Sequence, residues 1–229
     1  MARFHFVRDY ERLVRRLKWR YPLDEAMSRA VGGSYEQIGL KEVEIVEYAG
    51  LRAGQSLLDF GCGSGRLAAA LQQKMRVEYC GIDVVKPLLD YAKKKSPPSY
   101  RFILNRSLRL PLPAAAFDMA VAFSVFTHLL HHESYIYLEE FHRVLRPDGV
   151  VAFSFLEFAD ANHWEQFETT VEAQRRSALP HLNQFLERSQ IELWADKLGY
   201  RNVRFVGSTE SPCGTPDAPA NQNLAILQR

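Results

Sequence analysis

The sequence has few cysteines, no long apolar run and no phosphate-loop lysine, and each lack excludes a class of protein. Cys62, Cys80 and Cys213 are odd in number and lack metal-ligand spacing, so we expect reduced thiols and a cytoplasmic protein rather than a disulfide framework. No apolar stretch approaches the roughly 20 residues of a membrane-spanning helix. Because charged residues are spread throughout residues 1–20, we expect no signal peptide there.

A strong net charge is also lacking. The 229 residues carry a formal net charge of +2, with +5 in residues 1–20 and −3 in the remainder. This balance does not by itself indicate a nucleic-acid partner, and none is expected. Apolar residues recur at helical spacing over residues 4–21, with arginines on the other face, so we expect packing to bury the apolar face of this helix.

Strand-like and helix-like segments alternate from residue 56 onward. The predicted strands are residues 56–60, 77–83, 100–104, 119–123, 150–156, 203–207 and 224–227. Helices are predicted at residues 35–49 and 134–145, and a capping-box pattern at residues 189–192 is typical of another helix start. Five β–α units and a closing strand pair predict an α/β fold: a doubly wound, Rossmann-like, mostly parallel sheet with an antiparallel last strand.

The glycine-rich segment after the first predicted strand is the most informative feature. Asp59 lies in that strand, Gly61, Gly63 and Gly65 follow at alternate positions, and Asp83 ends the second strand. Glycine allows main chain to turn with positive φ or to approach a ligand closely. This layout is typical of a nucleotide-like cofactor site at the carboxyl edge of a parallel sheet. The alternative interpretation is an ordinary glycine-rich turn between a strand and a helix, and the presence of both Asp59 and Asp83 disfavours it.

The same segment argues against two common nucleotide sites. Arg66 stands where a dinucleotide fingerprint has its last glycine, which disfavours a nicotinamide-dependent oxidoreductase. The absence of a P-loop lysine disfavours a nucleoside triphosphate.

Four segments, in order, resemble motifs of the class I S-adenosylmethionine-dependent methyltransferases of small-molecule type. They are Leu57–Arg66, Tyr79–Asp83, the Leu110–Leu112 loop with Phe117–Val121, and Leu145–Val150. Each is weak alone, and the ordered set is specific. The resemblance covers residues 32–229 and implies a seven-stranded sheet with an antiparallel seventh strand, S-adenosylmethionine as cofactor, and methyl transfer.

The resemblance also implies roles for the matching residues. Asp59 would lie near the methionine amino group, and Asp83 would accept both ribose hydroxyls, since its two oxygens match two neighbouring donors. Val84 would flank the adenine. Further cofactor contacts are predicted at Gly61, Cys62, Gly63 and Gly65 in the loop, at Phe123 and Ser124 after the fourth strand, and at Tyr35 in a segment that resembles a cofactor cover.

One position departs from the family pattern. Many relatives have an acid before the Leu-Pro loop that meets the adenine amino group. Asn105, Arg106 and Ser107 stand there in this chain. Asn105, Ser107 or main chain would therefore make the adenine contact.

Methyl transfer from a sulfonium requires mainly positioning, and a base only if the acceptor must lose a proton. His128, shortly after the fourth strand, is the predicted catalytic base; it could instead order its loop. His131 and His132 are adjacent and diverge, so no metal site is predicted. Glu157 and His163 could face either the acceptor or solvent.

The acceptor is predicted to be a small molecule. Base-methylating relatives have an Asn-Pro-Pro-Tyr-like motif after the fourth strand, and Ser124–Phe126 stands there instead. We divide the chain into a helical cover, residues 1–34, and a methyltransferase domain, residues 35–229, with residues 157–188 as a helical connection over the acceptor site. The alternative function is that of a non-catalytic S-adenosylmethionine-binding protein that retains the fold. No oligomeric state is predicted.

Overall fold

A seven-stranded sheet forms the centre of the computed structural model, which describes residues 7–176, 183–210 and 221–229. The strand order is β3-β2-β1-β4-β5-β7-β6. The strands are β1 (Ser56–Phe60), β2 (Glu78–Asp83), β3 (Arg101–Leu104), β4 (Phe117–Ala122), β5 (Leu145–Phe155), β6 (Arg201–Val206) and β7 (Asn223–Gln228). Strands β1 to β5 are parallel, and β7 pairs antiparallel with β5 and β6. The predicted doubly wound sheet with an antiparallel last strand is confirmed.

Helices cover both faces of this sheet. In the described residues they are α1 (Val7–Arg20), α2 (Leu23–Ala30), α3 (Tyr35–Tyr48), α4 (Arg66–Lys74), α5 (Lys86–Lys95), α6 (His131–Val144), α7 (Ala161–Arg175) and α8 (Arg188–Leu198). Successive strand residues point to opposite faces. Leu58 therefore joins a buried cluster with Phe141 of α6, and Leu57 joins another with Val46 of α3 and Leu71 of α4.

The strand order places a crevice beside β1. From β1 the sheet extends through β2 to β3 on one side and through β4 to β5 on the other. In doubly wound sheets, ligands bind outside the carboxyl ends of the strands at such a switch point. Asp59 and Asp83, near the ends of β1 and β2, lie at this edge.

The first two helices pack across this edge. Val14 of α1 and Met27 of α2 form a buried cluster with Leu88 and Tyr91 of α5. Val7 of α1 joins the main core. The apolar face of α1 is thus buried by packing, as the periodicity predicts.

Two element starts differ from the predictions. The helix predicted at 134–145 begins at His131. Its start is fixed by the Glu133 carboxylate, which accepts a hydrogen bond of 2.8 Å from the N–H of Leu130, the N-cap residue. The strand predicted at 150–156 begins at Leu145, which pairs with Phe117 before the register shifts.

The capping box predicted at residues 189–192 is wrong. Helix α8 begins at Arg188, and Glu187 occupies its N-cap position without a side-chain cap bond. The Glu187 carboxylate instead accepts a hydrogen bond from Phe158 N at 3.2 Å.

Some predictions fall outside the described residues, namely those on residues 4–6, on residues 177–182 of the predicted helical connection, and on Cys213. Among the helices that the structure describes, none combines the length and apolar character needed to cross a membrane.

Candidate cofactor and acceptor site

A cavity of about 470 Å³ opens at the carboxyl ends of β1, β2 and β4. Small-molecule sites typically occupy roughly 300–1,000 Å³. The segments that follow the three strands form its floor, and α1, α3 and residues 29–32 at the end of α2 complete its wall. The switch point of the sheet is thus a covered site of ligand size.

Asp83 ties the glycine loop to the end of β2. Its Oδ2 accepts a hydrogen bond from Gly63 N at 2.9 Å, and its Oδ1 accepts one from Val85 N at 2.8 Å. The side chain is 9% exposed and lines the cavity. Burial raises the pKa of Asp83, and the two backbone N–H groups oppose that rise. Each oxygen keeps acceptor capacity for a ligand hydroxyl.

Asp59 lies across the loop from Asp83. The Tyr79 hydroxyl donates a hydrogen bond of 2.5 Å to Asp59 Oδ2. Burial raises the pKa of Asp59 to about 7, and the bond from Tyr79 opposes the rise. The carboxyl also lines the cavity, so it can meet a cationic group of a ligand.

The three loop glycines have different surroundings. All have positive φ, from +52° to +81°. Gly61 and Gly63 line the cavity, whereas Gly65 does not. A Cβ on Gly65 would lie 2.7 Å from Ala92 Cβ of α5. Gly65 therefore allows α4 to begin close against α5.

Most of the predicted cofactor residues meet in the cavity, and four do not. Its lining includes Asp59, Gly61, Cys62, Gly63, Asp83, Val84, Phe123 and Ser124, together with His128. Gly65, Tyr35, Asn105 and Ser107 lie outside it. The Tyr35 hydroxyl donates to Ser64 O at 3.0 Å and so supports the glycine loop from outside.

Asn105 stabilises its own loop. Its amide nitrogen donates to Ser107 O at 2.9 Å and to Arg109 O at 3.2 Å, while its Oδ1 accepts from Ser107 N. Asparagine side chains often accept a hydrogen bond from the backbone N–H two residues later, and the bond from Ser107 N to Asn105 Oδ1 is of this kind. Its side-chain amide is thus engaged away from the predicted adenine contact.

The sequence did not indicate a third acid near the loop, Glu42 of α3. Arg66 Nε donates to Glu42 at 2.7 Å, and its Nη1 donates to Val31 O at 2.7 Å. Burial raises the pKa of Glu42, and Arg66 opposes that rise. The only sequence signal was a glutamate on the apolar face of a helix. This pair fixes the start of α4 beside the cavity.

His128 lies on the wall of the same cavity, against α1. Its Nε2 is 3.1 Å from the Tyr10 hydroxyl, and the two rings meet edge to face at 5.9 Å. Burial, together with the charge of Asp83, raises the pKa of Tyr10 to about 12. Tyr10 belongs to the predicted cover of the acceptor, but nothing in the sequence indicated that it pairs with His128.

A ring of three hydrogen bonds fixes the wall after β4. Ser124 N donates to Ser154 Oγ at 2.7 Å, Ser154 Oγ donates to Gln222 Oε1 at 2.7 Å, and Gln222 Nε2 donates to Ser124 Oγ at 3.1 Å. Ser124 and Gln222 line the cavity. The ring joins the ends of β4 and β5 to the start of β7.

Glu157 and His163 face neither the cavity nor solvent. Glu157 accepts hydrogen bonds from Arg188 Nε at 3.0 Å and Asn223 Nδ2 at 2.8 Å, and its N–H donates to His163 Nδ1 at 2.9 Å. His163 is fully buried, with Nε2 2.7 Å from Asn221 O. These residues hold β5, α7 and β7 together. Among the described residues, no group of three metal-binding side chains is found.

Known proteins share this architecture. A methyltransferase domain family matches residues 58–153. The chain is 30% identical over 176 residues to a malonyl-[acyl-carrier protein] O-methyltransferase of Serratia marcescens, a match that covers 72% of this chain and 63% of the relative. This chain therefore matches less than two thirds of that relative's length.

Two solved structures share the fold. One is a possible histamine N-methyltransferase of Thermotoga maritima, with a TM-score of 0.64, 15% identity, and coverage of 98% of this chain and 99% of that chain. The other is phosphoethanolamine N-methyltransferase 2 of Haemonchus contortus with S-adenosylhomocysteine, with a TM-score of 0.64, 16% identity, and coverage of 91% and 47%.

The fold, the ordered motifs and the matched domain agree with one another. Residues 58–153 are a methyltransferase domain, and the fold is that of the class I S-adenosylmethionine-dependent methyltransferases, a family of enzymes whose cofactor is S-adenosylmethionine.

Proposed function

We propose that this chain transfers a methyl group from S-adenosylmethionine to a small-molecule acceptor. The observation that carries the proposal is that one cavity is lined by two buried carboxyls on one side and by the His128–Tyr10 pair on another. A cofactor and an acceptor could therefore meet in a space from which α1 excludes bulk water.

The residues at the cofactor end fit an adenosyl and an aminoacyl group. When bound, S-adenosylmethionine supplies a sulfonium methyl that is already activated for displacement. Asp83 would accept hydrogen bonds from the two ribose hydroxyls, and Asp59 from the methionine ammonium. Gly61 and Gly63 would lie beneath the cofactor, and Val84 beside the adenine. The adenine amino group would be met by main chain, because the Asn105 amide is engaged within its own loop.

At the acceptor end we propose His128 as the base. It would take a proton from an acceptor hydroxyl, amine or acid as the methyl group is transferred. Tyr10 would orient the imidazole through the 3.1 Å hydrogen bond. The phenol of Tyr10 is protonated at neutral pH, and its raised pKa extends that state to more alkaline pH.

The acceptor is proposed only as a class. The named relatives act on different molecules: the Serratia protein on a malonyl-[acyl-carrier protein] and the Haemonchus protein on phosphoethanolamine. Their shared feature is transfer to a small organic group. The covers of the cavity, which include α1 and the end of α2, would select the acceptor.

The test is formation of S-adenosylhomocysteine with a panel of small carboxylic acids, alcohols and amines. We expect turnover with one class, and a large loss of kcat in His128→Gln with little change in cofactor affinity. Tyr10→Phe should shift the acidic limb of the kcat–pH profile, because it removes the group that orients the base.

Two results would contradict parts of the proposal. Cofactor binding without turnover on any acceptor would favour the non-catalytic alternative. Turnover in His128→Gln with the native pH profile would assign His128 to ordering its loop.

A further inference from the structure

The outer face of α1 is a row of arginines that ends in a tryptophan near the C-terminus of the helix. Arg8, Arg12, Arg15, Arg16 and Trp19 recur at intervals of three or four residues, so they share one side of the helix. The opposite side, with Val7 and Val14, is buried. We call these five residues the cationic face.

The cationic face is open to solvent. Its four arginines are exposed, and Trp19 is 88% exposed. Arg12 lies 3.6 Å from Asp9. Within the described residues, Arg15 and Arg16 have no ion pair. The charge is concentrated here, because residues 1–20 carry +5 and the rest of the chain −3.

The same helix forms part of the candidate active site. Tyr10 and Leu13, on its inner side, line the cavity. A partner bound to the cationic face would therefore lie directly above the cavity wall. A contact there could change access to the site.

We propose that the cationic face binds the surface of an anionic lipid bilayer. Lysine and arginine near such a surface are attracted by its negative potential, and the excess negative charge elsewhere on the chain orients the molecule with α1 toward the lipid. The proposal concerns a surface contact of one helix and is independent of the acceptor's identity.

The exposed apolar side chains favour a bilayer over a nucleic acid or an acidic protein. Trp19 is nearly fully exposed, and Leu23, the first residue of α2, is 46% exposed. Tryptophan is enriched at the membrane–water interface, where its ring enters the headgroup region while arginines contact phosphates.

The test is flotation of the full chain with phosphatidylcholine vesicles, with and without phosphatidylglycerol. We expect binding only to the anionic vesicles, weakening as salt is added. Arg15→Gln with Arg16→Gln should reduce partitioning by roughly fivefold for each arginine at low salt. Arg175→Gln with Arg176→Gln removes equal charge from exposed positions at the C-terminal end of α7 and should leave binding unchanged.

Trp19 provides a second readout. In a chain with Trp164→Phe and Trp194→Phe, the remaining fluorescence belongs to Trp19 and should shift to the blue with anionic vesicles only. Circular dichroism would verify that each variant is folded.

Three results would overturn the proposal. One is no flotation of the native chain with anionic vesicles. Another is an equal loss of binding in the two arginine pairs. The third is binding to polyuridylate, but not to vesicles, that depends on Arg15 and Arg16, which would assign the cationic face to a nucleic-acid partner.

Discussion

The single residue Asp83 both stabilises the glycine loop and lines the cavity. Its carboxylate holds the glycine loop through Gly63 N and Val85 N, and it faces the cavity. A change at this position should therefore affect the ligand through a lost acceptor and through a displaced loop.

We predict that Asp83→Asn weakens S-adenosylhomocysteine binding by about 1–3 kcal/mol, the scale of a hydrogen bond to a charged group. The amide of this variant would keep only one acceptor oxygen. Its NH₂ group would face one of the two backbone N–H groups that the carboxylate now binds. Titration calorimetry measures the effect. Asp90→Asn, in an exposed ion pair with Lys86, is the matched control and should bind normally. Equal affinities of the two variants would remove Asp83 from the site.

Asp59 predicts a pH dependence. Burial raises its pKa to about 7, and only the ionised carboxyl can pair with a methionine ammonium. Affinity for S-adenosylhomocysteine should therefore rise from about pH 6 to pH 8 and level off above. Tyr79→Phe removes the hydrogen bond that stabilises the ionised form of Asp59. The midpoint of the affinity–pH curve should therefore move to higher pH. Flat affinity over this range in both proteins would contradict the assignment.

The raised pKa of Asp59 has the opposite effect on the stability of the ligand-free protein: stability falls, rather than rises, with increasing pH. The folded protein keeps the Asp59 proton between about pH 4 and 7, whereas the unfolded chain releases it near 3.9. The contribution of Asp59 to stability therefore falls as pH rises through that window.

Sequence reasoning found residues near a motif more readily than residues joined by packing. Asp59 and Asp83 follow from their places at strand ends. The contact between Tyr10 and His128 could not be predicted, because the two residues are 118 positions apart in the chain. Asn105 was assigned to the adenine, but its side chain satisfies its own turn, a preference of Asn.

At the scale of elements, α3 and α4 are joined at the cavity by one ion pair. Glu42 is 2% exposed and Arg66 is 11% exposed at their side chains. Removing one partner of a buried pair leaves an uncompensated charge, whereas replacing both with apolar residues is often tolerated.

We predict that Glu42→Ala lowers the free energy of unfolding by about 3–5 kcal/mol. The double variant Glu42→Leu with Arg66→Met should lose less than Glu42→Ala alone. Glu172→Ala, in an exposed pair with Arg175, is the control and should cost about 0–1 kcal/mol. Urea unfolding measures all three. A Glu42→Ala loss as small as that of the control would mean that the pair is not structural.

The elements themselves were largely predictable, since periods of two and 3.6 residues mark strands and helices. The residues at which the helices and strands begin and end were less predictable. Helix α6 begins early because Glu133 caps Leu130, and α8 begins without the expected cap because Glu187 bonds Phe158 N. Such ends depend on side chains that reach backbone elsewhere.

At the scale of the molecule, the strand order creates the site. Periodicity predicts which segments are strands, and the family resemblance supplied their seven-stranded arrangement. The sequence predicts a helical cover over residues 1–34, but not where it packs, because the contact of α1 and α2 with α5 is tertiary. The cavity exists only where these helices meet the sheet edge.

The most direct test of this account is a crystal structure with S-adenosylhomocysteine. We predict the ribose hydroxyls at hydrogen-bond distance from Asp83 and the amino group at Asp59, with the sulfur open toward His128. Adenosylhomocysteine bound elsewhere, or in this cavity with its ribose away from Asp83, would contradict the account.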